Sequence, residues 1–182
     1  MNEILTMPPA HGAMTAIESS RAVQEVQAAL IIAKRFPRNE VAAVDRIINA
    51  CTRPGLAEVA VYQYARGGQD VSGASIRLAE AIAKLWGNLD FGVVEIESTE
   101  GKSTMEAYCW DLETNVKIKR IFQVAHVRYK KSYGNGPNLK PLEDPRDIYE
   151  GNANAGSRRL RACILASIPG DVLEAALQQC ET

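Results

Sequence analysis

At 182 residues the chain has the length of one domain and enough material to bury a core without staples. Apolar residues make up 46%, charged residues 24% and aromatics 6%, an ordinary globular composition with no apolar run near the ~18 residues of a membrane span. The net charge of −1 supplies no bulk attraction for nucleic acid, so any such function must come from how the charge is distributed.

Met1 to Thr6 has no basic region followed by an apolar stretch, so it does not read as a secretion signal. Cys51, Cys109, Cys163 and Cys180 lie far apart with no CxxC pair, a spacing unlike disulfide scaffolds or zinc sites. The reading is a cytoplasmic protein with reduced thiols, Cys109 and Cys163 being small core residues.

Residues 1–16, with Pro8, Pro9 and Gly12, predict a flexible arm, and 17–182 a single α+β domain. Ala22, Val26, Ala29, Ile32 and Ala33 recur at helical spacing and predict a helix over 18–36, ended by Pro37. Asn39 caps a second helix to about Cys51, with Val41, Val44, Ile47 and Ile48 inward, and Pro54-Gly55 breaks it. Val59 to Tyr64 reads as a strand before a turn at Gly67-Gly68. A third helix is expected to begin around Ser72 to Ala74 and to close at Gly87-Asn88.

Strand-like runs at 89–97, 104–112 and 116–124 follow, separated by hairpin-sized connections, and predict an antiparallel three-stranded meander packed against helices. The stretch 126–145 reads as a basic loop, long enough to be functional. A helix over 147–167, a break at Pro169-Gly170 and a short amphipathic helix from Asp171 complete the chain. No internal repeat is present.

Several chemistries lack their residues. There is no GxxxxGK[ST] loop for ATP and no GxGxxG after a strand. The two histidines, His11 and His126, give no support to a zinc site or a nucleophile–histidine pair. Glu100-Gly101-Lys102 after Asp90 superficially matches the carboxylate–lysine set of metal-dependent nucleases, but Gly101 places the triplet in a hairpin turn. No cofactor and no catalytic centre are expected.

The charge is strongly divided. Between Val116 and Arg161 eleven basic residues face four acidic ones, a net of +7, which leaves −8 for the rest. In the third meander strand Lys117, Lys119, Ile121 and Gln123 share one face; Ile118, Arg120 and Phe122 share the other. Arg120 either pairs with an acid such as Glu95 or Glu106, or stands at the sheet edge and reaches a phosphate. Arg128-Tyr129-Lys130-Lys131-Ser132-Tyr133 interleaves cations with rings, the pattern of a single-strand binder and equally of a solvated charge run. On the following helix Asn154, Arg158 and Arg161 share a face opposite Leu160, Ile164 and Ile168. Docking that apolar face on the meander would bring the arginines beside the cationic strand. Arg77, in the first turn of the third helix, either serves a phosphate or is an ordinary surface arginine.

A meander preceding a helix that carries Ser157-Arg158-Arg159-Leu160-Arg161-Ala162-Cys163-Ile164-Leu165-Ala166-Ser167-Ile168-Pro169 resembles the phage single-strand annealing proteins of the RecT/Red-beta/Erf group. Ser75-Ile76-Arg77-Leu78-Ala79-Glu80 with Trp86-Gly87-Asn88 is similar to a pattern of phage recombination-type proteins. The resemblance covers about 59–180 and leaves the N-terminal helical pair outside it. It implies ATP-independent binding of single-stranded DNA along a groove, strand annealing for homologous recombination, and homo-oligomeric rings or helical filaments. A phage exonuclease or a host single-strand-binding protein is the further partner it suggests. Carried over residue by residue are Arg158, Arg159 and Arg161, with Lys117, Lys119 and Arg120. The competing reading is a non-catalytic interaction module that inhibits a host factor; a metal-dependent nuclease stands behind it.

Overall fold

The computed structural model describes residues 10–130 and 138–182. It is α+β: an antiparallel three-stranded sheet carries a long helix on one face, beside a helical layer and two separate hairpins. Among the described residues no helix is long and apolar enough to cross a membrane.

Helix α1 spans Ala10–Arg35, so residues 10–16 are helical where an arm was expected. Residues 14–28 are exposed throughout. Burial begins only at its C-terminal end, where Ala33 is enclosed. Helix α2, Glu40–Cys51, starts as predicted: Asn39 accepts from the Ala42 amide at 3.0 Å. Its buried face is Ala43, Ile47, Ala50 and Cys51, whereas Val41, expected inward, is exposed. Pro54-Gly55 does not simply break the chain. Proline at a first helical position costs no hydrogen bond, and these residues open a one-turn helix, α3, Pro54–Ala57.

Strand β1, Val61–Arg66, pairs with β2, Gln69–Ala74, across a turn in which Gly67 and Gly68 both have positive φ. The expectation that a helix begins at Ser72 is overturned. Those residues pair with β1, and helix α4, Ile76–Trp86, starts after Ser75, whose hydroxyl accepts from the Leu78 amide. The Ser75 amide bonds the Ala60 carbonyl at 2.7 Å, fixing the hairpin base to the start of α4.

The meander consists of β3, Leu89–Thr99, β4, Lys102–Asp111, and β5, Val116–Ala125, in that spatial order. Gly101 and Asn115 turn its corners with positive φ. In β4 Ser103, Met105, Ala107, Cys109 and Asp111 are buried and the alternate residues are not, the period-2 signature of one covered face. The covering element is α5, Pro145–Ser167, whose buried stripe is Asn152, Gly156, Leu160, Cys163 and Ile164. A Cβ on Gly156 would lie 2.9 Å from Val93 Cγ1, so glycine permits this helix–strand approach. After Pro169, α6, Gly170–Cys180, packs with α2 around the same core.

The stretch expected as a loop contains a hairpin, β6, Val127–Lys130, with β7, Asn138–Pro141. Val127-Arg128-Tyr129-Lys130 alternates apolar and polar residues, but its partner Asn138-Leu139-Lys140-Pro141 ends on a proline and does not read as a strand. Its base is clamped: the His126 amide bonds the Gly101 carbonyl and the Leu142 amide bonds the His126 carbonyl, both at 2.8 Å. Beneath it the buried Ser103 hydroxyl meets His126 Nε2 at 2.8 Å and accepts from Asn152 Nδ2 at 3.0 Å.

A second polar junction centres on Arg38. Its Nε donates to Glu113 Oε1 and its Nη2 to Asp111 Oδ1, each at 2.9 Å, while the guanidinium lies 5.1 Å from the Trp86 ring centroid. This joins the α1–α2 connection to the β4–β5 turn. Neither N-terminal helix covers the outer sheet face, where Val94, Ile96 and Ile121 remain exposed.

Candidate nucleic-acid interface

The alternation of β1 puts Tyr62 and Tyr64 on one face, where their rings stack with centroids 5.9 Å apart and planes inclined by 23°. Opposite Tyr62 stands Gly73. A Cβ there would come within 2.9 Å of the tyrosine oxygen, so the ring lies across bare backbone. This is how an aromatic commonly shields a strand glycine.

Helix α5 supplies the other wall. With Leu160, Cys163 and Ile164 turned into the core, Arg158 and Arg161 share a face directed at the hairpin. The Arg161 guanidinium sits 4.2 Å from the Tyr62 ring centroid, a cation–π contact that also fixes the ring. Tyr62, Tyr64, Arg158 and Arg161 line a cleft of about 550 Å³. Among the described residues neither arginine has an ion-pair partner. Arg158, without an ion pair, and Arg161, engaged with the Tyr62 ring, stand beside two stacked tyrosines, an arrangement that can take an anion carrying a flat aromatic group.

The remaining predicted residues divide between locations. Arg159 is held against the sheet edge, 4.8 Å from the Phe122 ring centroid, with a hydrogen bond to the Ala155 carbonyl. Arg120 shares the inward face of β5 with Phe122 and pairs with neither Glu95 nor Glu106: Glu95 faces Asn152, and Glu106 binds Lys119. It lies instead against Cys163. Burial pushes that thiol's pKa up, and the Arg120 charge and hydrogen bond act in the opposite direction. Both arginines border the α5 side of the β5 edge.

Lys117 and Lys119 do not join them. They project from the outer sheet face, Lys117 over the rings of Tyr108 and Trp110 at 4.4 and 5.3 Å, Lys119 3.5 Å from Glu106. The expectation that docking of α5 unites its arginines with the whole cationic strand is therefore corrected, because adjacent strand residues point to opposite faces. Arg128 donates to Asp147 at 3.0 Å and tethers the β6–β7 hairpin to the first turn of α5. Tyr129 and Lys130 take part in β6 through their backbones. Their side chains, and all of Lys131, lie outside the described residues. Arg77 lines a different cleft, between α3 and α4.

The nuclease-like triplet also falls apart in space. Lys102 pairs with Thr99 at one end of β3, and Asp90 pairs with Trp110 at the other, roughly 27 Å away at 3.4 Å per residue.

Tyr62 and Tyr64 were read from the sequence only as strand residues. The signal available was their alternation in Val61-Tyr62-Gln63-Tyr64; their partners, Gly73 and Arg161, become apparent only once the register and helix docking exist. Comparison of the chain with protein-family models, with curated proteins and with solved structures finds no match.

Proposed function

We propose that this protein binds single-stranded DNA, without ATP, in the cleft between the β1–β2 hairpin and α5, and that it anneals complementary strands as a homo-oligomer. The observation that carries the reading is the stacked Tyr62–Tyr64 pair facing Arg158 and Arg161, which have no ion-pair partner among the described residues. The exposed Tyr64 ring offers a base a sequence-tolerant stacking surface beside the Tyr62–Arg161 pair, and the guanidinium groups take the adjoining phosphates. Duplex DNA presents no free base face to such a platform, so the geometry favours single strands. The resemblance of Ser157–Pro169 to the phage annealing proteins agrees with it, and α1 supplies exposed apolar residues (Ile17, Val23, Ile31 and Ile32) for contact between subunits.

The test is binding of a labelled oligonucleotide across a salt series, with chelator present and nucleotide absent. If about five phosphates are engaged, the slope of log affinity against log salt is about −3.5. Replacing both tyrosines by alanine should weaken binding by about 1–3 kcal/mol per stacked base. Wild-type affinity that is absent, or indifferent to salt, overturns the reading and favours an interaction module.

A further inference from the structure

A second cleft of about 550 Å³ lies on the side of α4 turned away from the core. Because α4 buries Leu78, Ala79, Ile82, Ala83 and Trp86, helical periodicity places Arg77, Ala81 and Lys84 together on the opposite face. The one-turn helix α3 lies across from them, bringing Arg53, Leu56 and, just beyond it, Val59 to the same cleft. Three cations therefore line it together with the Glu80 carboxylate.

The carboxylate does not neutralise them. Among the described residues Arg77 and Lys84 have no ion-pair or hydrogen-bond partner, and neither comes within ion-pairing distance of Glu80. Arg53 donates its Nε to the Ala50 carbonyl at 3.1 Å, and among the described residues it has no ion-pair partner. Arg77 also stands in the first turn of an 11-residue helix, where the helix dipole adds positive potential. Among the described residues no aromatic side chain lines the cleft, so it offers charge and an aliphatic wall but no stacking surface. That is the chemistry of a phosphodiester site, unlike the base-stacking cleft beside α5.

The two clefts adjoin the same short segment. Val59 lines this one and Tyr62 the other, and three residues span at most about 11 Å. We infer that Arg53, Arg77 and Lys84 form a second, phosphate-only subsite that holds the backbone of the same single strand as it continues past the tyrosine cleft. This rests on the proposed single-strand binding and adds a direction to it: the strand runs from α5, past the start of β1, toward α3 and α4.

The experiment compares wild type, Arg77→Ala/Lys84→Ala and Tyr62→Ala/Arg158→Ala on oligothymidylates of increasing length, each over a salt series. Arg77 and Lys84 are exposed, so the first variant keeps the fold; a matching melting curve checks this. On long oligonucleotides it should lose affinity, and its salt slope should be shallower by about 1.4, two lost contacts at about 0.7 each. On the shortest oligonucleotides that wild type binds, it should match wild type, while the tyrosine-cleft variant is weakened at every length. An unchanged slope and affinity on long strands overturns the second subsite alone. No binding by wild type at any length removes the single-strand reading and the subsite with it.

Discussion

The guanidinium of Arg161 lies 4.2 Å from the centre of the Tyr62 ring, joining a helix residue to a hairpin residue 99 positions earlier in the chain. Because the contact orients both groups, their contributions to DNA binding should not add. Arg158→Ala/Arg161→Ala should weaken binding while leaving the circular dichroism spectrum intact. In a cycle with Tyr62→Ala and Arg161→Ala, the double variant should lose less than the sum of the singles. Strictly additive losses would mean that the ring and the cation act independently, and normal binding would make the arginines a solvated helix face.

The placement of those arginines depends on how closely α5 approaches β3. Glycine inside a helix ordinarily costs about 1 kcal/mol relative to alanine, yet a methyl at Gly156 would meet the stiff, branched Val93 at 2.9 Å. Overpacking of this kind costs about 1–3 kcal/mol, so Gly156→Ala should lower the melting temperature. Adding Val93→Ala should recover part of the loss. A single variant more stable than wild type would show that the sheet yields to the added methyl.

Acid should loosen the junction at Arg38. Burial raises the pKa of Glu113, but hydrogen bonds from Asn88 and Arg38 and the guanidinium charge outweigh it and hold the carboxyl below its ordinary 4.5. A depressed carboxylate stabilises the fold fully above its unfolded value and loses that contribution as pH falls through the folded one. Urea midpoints should therefore fall on acidification below about pH 4.5, and Glu113→Gln should flatten that part of the profile. Superimposable profiles for the variant and wild type would remove Glu113 from the account.

Assembly should depend on α1. Ile31 and Ile32 are 66% and 55% exposed, and residues so apolar on an uncovered helix suit a subunit contact. Head-to-tail contacts close into rings or continue as helical filaments. Light scattering at micromolar concentration should give an oligomer that grows with a long single strand, and Ile31→Glu/Ile32→Glu should shrink it. A monomer indifferent to DNA would transfer the weight to the interaction-module reading.

Local chemistry alone specified the three-stranded meander, the cap at Asn39, the turns at Gly67-Gly68, Gly101 and Asn115, and the Leu160 and Ile164 part of the buried stripe of α5, though not Asn152 and Gly156. Each depends on side-chain period or on a residue suited to one backbone conformation, and both are written along the chain. The strand β2 was hidden because Ser72-Gly73-Ala74 has no strand pattern of its own; pairing with β1 gives it one. The β6–β7 hairpin was hidden because Asn138-Leu139-Lys140-Pro141, ending on proline, reads as a strand only through its pairing with β6. The arginines of α5 could be named from the sequence, but not the tyrosines they meet; the strand period already set Lys117 and Lys119 apart from Arg120, while only the docking of α5 decides which of the two faces is covered. Those relationships link residues distant along the chain, and they are decided by strand register and by which helix face the core removes from water.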